Sequence, residues 1–171
     1  MRVLRATAAA LALAGCAGPA TQRPAHGSFD ARFRAEVWER TLTTVTSRGY
    51  ELGFEDAALG VLVTKERESH APCGETTCLS RDVVHLRLEN GHLVVDVSRT
   101  LWDTTLRTWS PPSDARAIAA IEEDQVSLVR EISDGSAELR PSRKGEPCYA
   151  TPECARGLAC ERRHCGAAAR H

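Results

Sequence analysis

The sequence predicts an α+β fold: a two-layer sandwich of an antiparallel sheet with two helices on one face, plus a small disulfide-rich C-terminal module. Three observations predict it. The element order reads helix, strands, helix; each helical segment carries one apolar stripe; and the central hairpin gathers its apolar side chains on one face. Laying both stripes on that face buries the most apolar surface in the fewest layers.

The first helix falls within residues 29–49, "FDARFRAEVWERTLTTVTSRG". Phe33, Val37, Leu42 and Val45 lie near one face, with Trp38 at its edge; Asp30 supplies a cap and Gly49 a stop. Tyr50, Leu52 and Phe54 then alternate with Glu51, Gly53 and Glu55, a strand pattern. Leu59–Thr64 resumes as a second strand and runs into the charged stretch Lys65–Glu68.

The strongest local signal is "VVHLRLENGHLVVDVS". Asn90-Gly91 is the pair a two-residue type I′ hairpin prefers, because both positions need positive φ. Closing the turn there opposes Glu89 with His92, Leu88 with Leu93, Leu86 with Val95 and Val84 with Val97. Those apolar residues share one face. Val83, His85, Arg87, Glu89, Val94, Asp96 and Ser98 take the other, which is expected to be wet, with His85 facing Asp96 as a cross-strand pair. Thr100–Trp109 reads either as an extension of this strand or as another short one. After Pro111-Pro112, Asp114 caps a second helix whose buried face is Ile118, Ile121, Gln125, Leu128, Val129 and Ile132, ending at Asp134-Gly135. Glu122, Glu123 and Asp124 are expected on its solvent side.

The first residues carry different information. Arg2 and Arg5 precede the short apolar run Ala6–Ala14, the pattern of a secretory signal. The run is too short to span a bilayer, which takes roughly 20 apolar residues. Leu13-Ala14-Gly15-Cys16 resembles the lipobox of bacterial lipoproteins. That resemblance implies lipidation of Cys16 and cleavage after Gly15. It further implies a membrane attachment through the lipid, which is stable when two or more acyl chains are present. Ala17 after the anchor, by analogy with enteric bacteria, favours the outer membrane on its periplasmic side. Residues 17–28, "AGPATQRPAHGS", read as a tether of at most about 40 Å. The expected division is signal peptide 1–15, lipidated tether 16–28, α+β domain 29–134, linker 135–147 and cysteine-rich module 148–165.

Cleavage would leave 156 residues with 20 basic against 23 acidic side chains, a net charge of about −3. That suits one domain with an appendage. No basic stripe with interleaved aromatics occurs, so no nucleic-acid partner is expected.

Lipidation of Cys16 leaves six of the seven cysteines. In an exported chain an even set reads as disulfides. Cys73 and Cys78 close a small ring in a hairpin loop, where Gly74 supplies turn freedom. A metal site using His70, Cys73 and Cys78 competes, but zinc wants four ligands. A redox-active pair also competes, without the C-x-x-C spacing. The tail "CYATPECARGLACERRHC" is too poor in apolar residues to make its own core, so it needs cross-links. Four cysteines allow three pairings. The interleaved one, Cys148–Cys160 and Cys154–Cys165, fixes the piece more tightly than sequential bridges and is the expectation among the three; zinc with His164 beside Cys165 is the alternative. The tail resembles the Dickkopf-like cysteine-rich modules of exported delta-proteobacterial proteins. The stretch "AEVWERTLTTVTSRGYELGFEDAALGVLVTKERE" is similar to openings of helix-grip type domains in envelope lipoproteins. The likeness reports fold and carries no functional residue across.

No G-x-S-x-G, H-E-x-x-H, P-loop or dinucleotide glycine pattern occurs. No catalytic residue, cofactor or metal is assigned. The expectation is a non-enzymatic, lipid-anchored envelope protein that binds or scaffolds another envelope component. Its contact surfaces would be the polar sheet face, the cysteine loop and the tail, with Arg156, Arg162 and Arg163 on the tail. The alternative is an exported hydrolase or redox accessory protein.

Overall fold

The computed structural model describes residues 22–133, 137–146, 148, 154–156, 158–161 and 164–167. The expected signal peptide 1–15 and the expected lipidation site Cys16 lie outside these residues, as do Arg162 and Arg163. In chain order the elements are β1 (Ala25–Ser28), a 3-10 turn (Ala31–Phe33), α1 (Arg34–Ser47), β2 (Leu52–Asp56), β3 (Val61–Thr64) and β4 (Arg67–Cys73). Then follow β5 (Thr76–Glu89), β6 (His92–Asp103), β7 (Thr108–Ser110), α2 (Ala115–Ser133), β8 (Glu138–Leu139), β9 (Leu158–Glu161) and β10 (His164–Ala167).

The Asn90-Gly91 turn organises the sheet. Both residues have positive φ, 51° and 79°, and the ladder opposes Leu88 with Leu93, Leu86 with Val95 and Val84 with Val97, the predicted register. At the turn end the strand order is β2-β3-β5-β6-β1-β8; toward the other end β4 takes the β5 edge and β7 the β6 edge. All pairings within this sheet are antiparallel. One core cluster joins Val37, Trp38 and Val45 of α1, Ile121, Leu128, Val129 and Ile132 of α2, and Leu62, Val84, Leu86, Leu93, Val95 and Val97 of the sheet. The fold is therefore α+β and sheet-dominated, with two helices and a C-terminal disulfide cluster.

Helix ends follow local chemistry. Asp30 Oδ1 accepts from Arg32 N at 3.0 Å, capping the 3-10 turn that leads into α1. Gly49 closes the exit with φ 79°. Asp114 Oδ1 accepts from Ala117 N at 2.9 Å at the start of α2. The stretch 100–109 resolves into both readings: β6 continues to Asp103, and β7 returns as a separate strand.

Four expectations are corrected. Residues 25–28 are not tether but strand β1, pairing with β6 from Ala25↔Val95 to Ser28↔His92. Residues 138–139 are not linker but strand β8, pairing with β1. Residues 67–73, read as a charged run and loop, form β4 along β5. The second sheet face is not uniformly wet, since Val94 is fully buried and Arg87 nearly so. The first three share a reason. The hairpin is much longer than its apolar segment, and its free edges recruit short, weakly β-forming stretches that no periodicity reveals.

Gly27 in β1 shows how tightly α2 sits. A Cβ at this position would lie 2.6 Å from Val129 Cγ1, well inside van der Waals contact. Gly27→Val should therefore destabilise the protein by about 1–3 kcal/mol through overpacking. The urea midpoint measures it; an unchanged midpoint would mean that α2 yields freely.

The tail is bonded to this sheet. Cys148–Cys160 and Cys154–Cys165 are disulfides in the interleaved pairing. Cys148, Cys154 and Cys165 are buried, with Leu158 packed on them. Gly145 N donates to Cys165 O at 2.7 Å and Cys165 N donates to Glu146 O at 2.9 Å. His164 Nε2 lies 2.8 Å from Glu89 Oε1. Ser142 Oγ lies 3.5 Å from Nε2 of His26, which is almost completely buried on β1.

Burial, and next the nearby Arg140 charge, push the His26 imidazole down to about 4. The folded protein thus holds His26 neutral, whereas the unfolded chain takes up a proton near 6.5. Stability from this group is complete above pH 6.5 and is lost as pH falls toward 4. Between pH 7 and pH 5 the loss should reach about 2 kcal/mol. His26→Gln should remove that share of the slope in urea unfolding; an unchanged slope would place the acid sensitivity elsewhere.

Candidate interaction surface

At the end of the sheet remote from Asn90-Gly91, four strands β4-β5-β6-β7 form an arm. The β4–β5 turn places Cys73 opposite Thr76 and Ala71 opposite Cys78. The two cysteines are joined as a disulfide, Cα–Cα 5.8 Å, and Gly74 between them has φ 57°. Arg116 Nη1 donates to Gly74 O at 3.1 Å, tying the turn to α2. The arm is therefore stiff at its tip.

The neighbouring β6–β7 turn is built by Asp103, whose Oδ1 accepts from Thr105 N at 2.7 Å and Leu106 N at 2.9 Å. Arg107 closes it with φ 52°. Leu106 projects at the apex and is 71% exposed, the most exposed large hydrophobic among the described residues. Below it Trp102 faces Trp109 in register. Their ring centroids are 5.4 Å apart and the planes are tilted by 57°, within contact range and away from the face-to-face sandwich that aromatic quadrupoles disfavour. The Arg81 guanidinium sits 4.1 Å over the Trp109 ring and pairs with Glu68 at 2.9 Å. Both tryptophans keep part of their surface open. Beside them a cleft of about 480 Å³ is lined by Thr76, Leu101, Trp102, Asp103, Pro111 and Asp114.

By strand alternation the tryptophans share a face with His85 and Asp96, which are opposed in register as expected. Burial lowers His85 below the ordinary imidazole range, against the Asp96 charge. Burial likewise raises Asp96, against His85 and a hydrogen bond from Gln22.

Between the main core and the arm lies a polar layer that sequence reasoning missed. Asp82 is fully buried and opposite Arg99. Arg99 Nε and Nη2 donate to the two Asp82 carboxylate oxygens at 2.7 and 2.9 Å, and Nη2 also reaches Asp124 at 2.8 Å. Arg67 Nη2 lies 3.6 Å from Asp82, with its guanidinium 3.8 Å over the Tyr50 ring. Burial works against the Arg99 charge, but the Asp82 hydrogen bonds and charge outweigh it and raise this guanidinium further. Asp124 and Glu122, expected on a solvated face, are thus engaged; Glu122 pairs with Arg23 at 2.9 Å. A signal existed. Extending the predicted ladder two residues beyond Val84↔Val97 yields Asp82↔Arg99 on the helix-facing side.

Sulfur geometry decides between bridge and metal for the described cysteines. The Sγ atoms of Cys148, Cys154 and Cys165 lie within 4.8 Å of one another, yet each is bonded to another sulfur. Oxidised pairs offer no thiolate ligand. The same holds for Cys73 and Cys78 near His70. No helix among the described residues is long and apolar enough to cross a membrane. No protein-family model matches the chain, and a search of curated proteins finds no match.

Proposed function

We propose that this chain is a lipid-anchored protein of a bacterial cell envelope, held by acyl chains on Cys16 and binding or scaffolding another envelope component without catalysis. The outer membrane, periplasmic side, is its favoured address. One observation carries the reading: Leu13-Ala14-Gly15-Cys16 stands six residues before Gln22, the first described residue, in a chain whose six remaining cysteines are all paired as disulfides. Three bridges suit an oxidising compartment outside the cytoplasm. They contribute to stability mainly by restricting the unfolded chain, by about 2–3 kcal/mol for loops of this size.

Both helices cover one face of the sheet in this reading, supported by the single core cluster that α1, α2 and the strands share. The opposite face is then open to a partner along the arm, at Arg81 and Glu68. Radiolabelled palmitate should enter the native protein, and mass spectrometry of the non-reduced product should show a lipidated Cys16 amino terminus and three bridges. A Cys16→Ser chain that fractionates and labels like the parent would sink the proposal.

A further inference from the structure

We infer that the β6–β7 tip, Leu106 with Trp102 and Trp109 behind it, rests in the lipid headgroup region as a second, non-covalent membrane contact. The inference builds on lipidation of Cys16, and chain geometry carries it. Gln22 is fastened to β6: its Nε2 donates to Val97 O at 2.7 Å and to Asp96 Oδ1 at 2.9 Å. Only six residue steps then separate Gln22 from Cys16, a reach of at most about 20 Å. The docked strand reduces the expected standoff by about half.

The direction is set as well. β1 runs antiparallel to β6 from Ala25↔Val95, so the preceding residues lead along β6 toward Asp103. β7 takes that same edge of β6, because β5 occupies the other. Gln22, Ser98, Thr100, Pro111 and Pro112 line the gap between β1 and β7. From Val97 to Trp102 is about 17 Å of strand. An anchor within about 20 Å of Gln22 therefore holds this end of the sheet near the bilayer.

The chemistry at that end suits an interface. Leu106 is 71% exposed at the apex. Two of the three tryptophans of the chain lie behind it, and tryptophan concentrates at the headgroup level where an apolar ring meets a wet N–H. Arg107, in the same turn, supplies a cation for lipid phosphate. The acyl chains on Cys16 supply the attachment, and the tip contact fixes how the folded body lies on the bilayer.

The test reconstitutes the full chain into vesicles of phosphatidylethanolamine and phosphatidylglycerol carrying brominated acyl chains, and reads tryptophan emission. Trp38 is buried in the core and serves as the unquenched reference. Emission from Trp102 and Trp109 should be quenched and shifted to the blue. Leu106→Ser, at a position too exposed to disturb folding, should reduce the quenched fraction several-fold, and Leu106→Trp should increase it. Equal quenching in all three chains, or none in the parent, overturns the inference. So does an emission change produced by soluble cell-wall glycan and not by vesicles, which would make the tryptophan pair a sugar platform. Palmitate incorporation is read separately, so a failed anchor and a failed tip give different results.

Discussion

Asp82→Leu should cost about 3–5 kcal/mol of folding stability, the largest single-residue loss expected in this protein. Asp82 is completely buried and takes both Arg99 hydrogen bonds, at 2.7 and 2.9 Å. Arg67 stands 3.6 Å away, and Ser69 Oγ donates to the same carboxylate at 3.5 Å. Removing the carboxylate strands the Arg99 guanidinium in an apolar setting with only Asp124 to answer it. Arginine does not discharge at any accessible pH, so the loss cannot be relieved by deprotonation. The double variant Asp82→Leu/Arg99→Met should recover most of the loss, because the pair removed together leaves no orphan charge. Urea unfolding of the four chains of this cycle measures the coupling. If the single variant loses less than about 1 kcal/mol, as exposed ion pairs do, the layer is not the dry pair described above.

Gln125→Leu ranks second, at about 3 kcal/mol. Leucine fits the volume, so the cost is in hydrogen bonds. Gln125 is fully buried on α2 and serves three groups. Its Oε1 accepts from Val97 N at 2.9 Å and from Gln22 Nε2 at 2.8 Å, while its Nε2 donates to Arg23 O at 2.6 Å. These bonds satisfy the β6 edge where β1 has ended and β7 has not begun. A leucine leaves the buried Val97 N–H unmet, at about 1–3 kcal/mol, and releases two further bonds. It also unfastens residues 22–23 from the sheet. Amide exchange should therefore rise sharply at β1 before the global midpoint is reached. Uniform loss of protection, with β1 no faster than β5, would show that Gln125 does not dock the N-terminal strand.

The same two sites show what could be read in advance. Gln125 was legible as part of an apolar helical stripe, yet its position there conveyed nothing of its partners, which lie 28 and more than 100 residues away in sequence. Asp82 and Arg99 stand where the hairpin ladder ceases to be apolar, so the alternation that sets the register does not mark them. The wet-face expectation failed at Val94 and Arg87 because burial depends on what packs above a strand, not on its alternation. The Trp102–Trp109 pair flanks an Asp103-initiated turn symmetrically in "WDTTLRTW". That symmetry was available as a hairpin signal and was obscured by the competing reading as one strand.

By itself the sequence determined the hairpin register, through the positive-φ turn at Asn90-Gly91, and the faces of both helices, through 3.6-residue periodicity. These are local rules, satisfied within one turn or one period. Tertiary structure alone decided which strands fill the hairpin edges, how α2 presses on Gly27, and that a charged layer parts the core from the arm. Each of those depends on groups far apart in the chain meeting in one place, where burial converts an ordinary polar side chain into one that must find its partner.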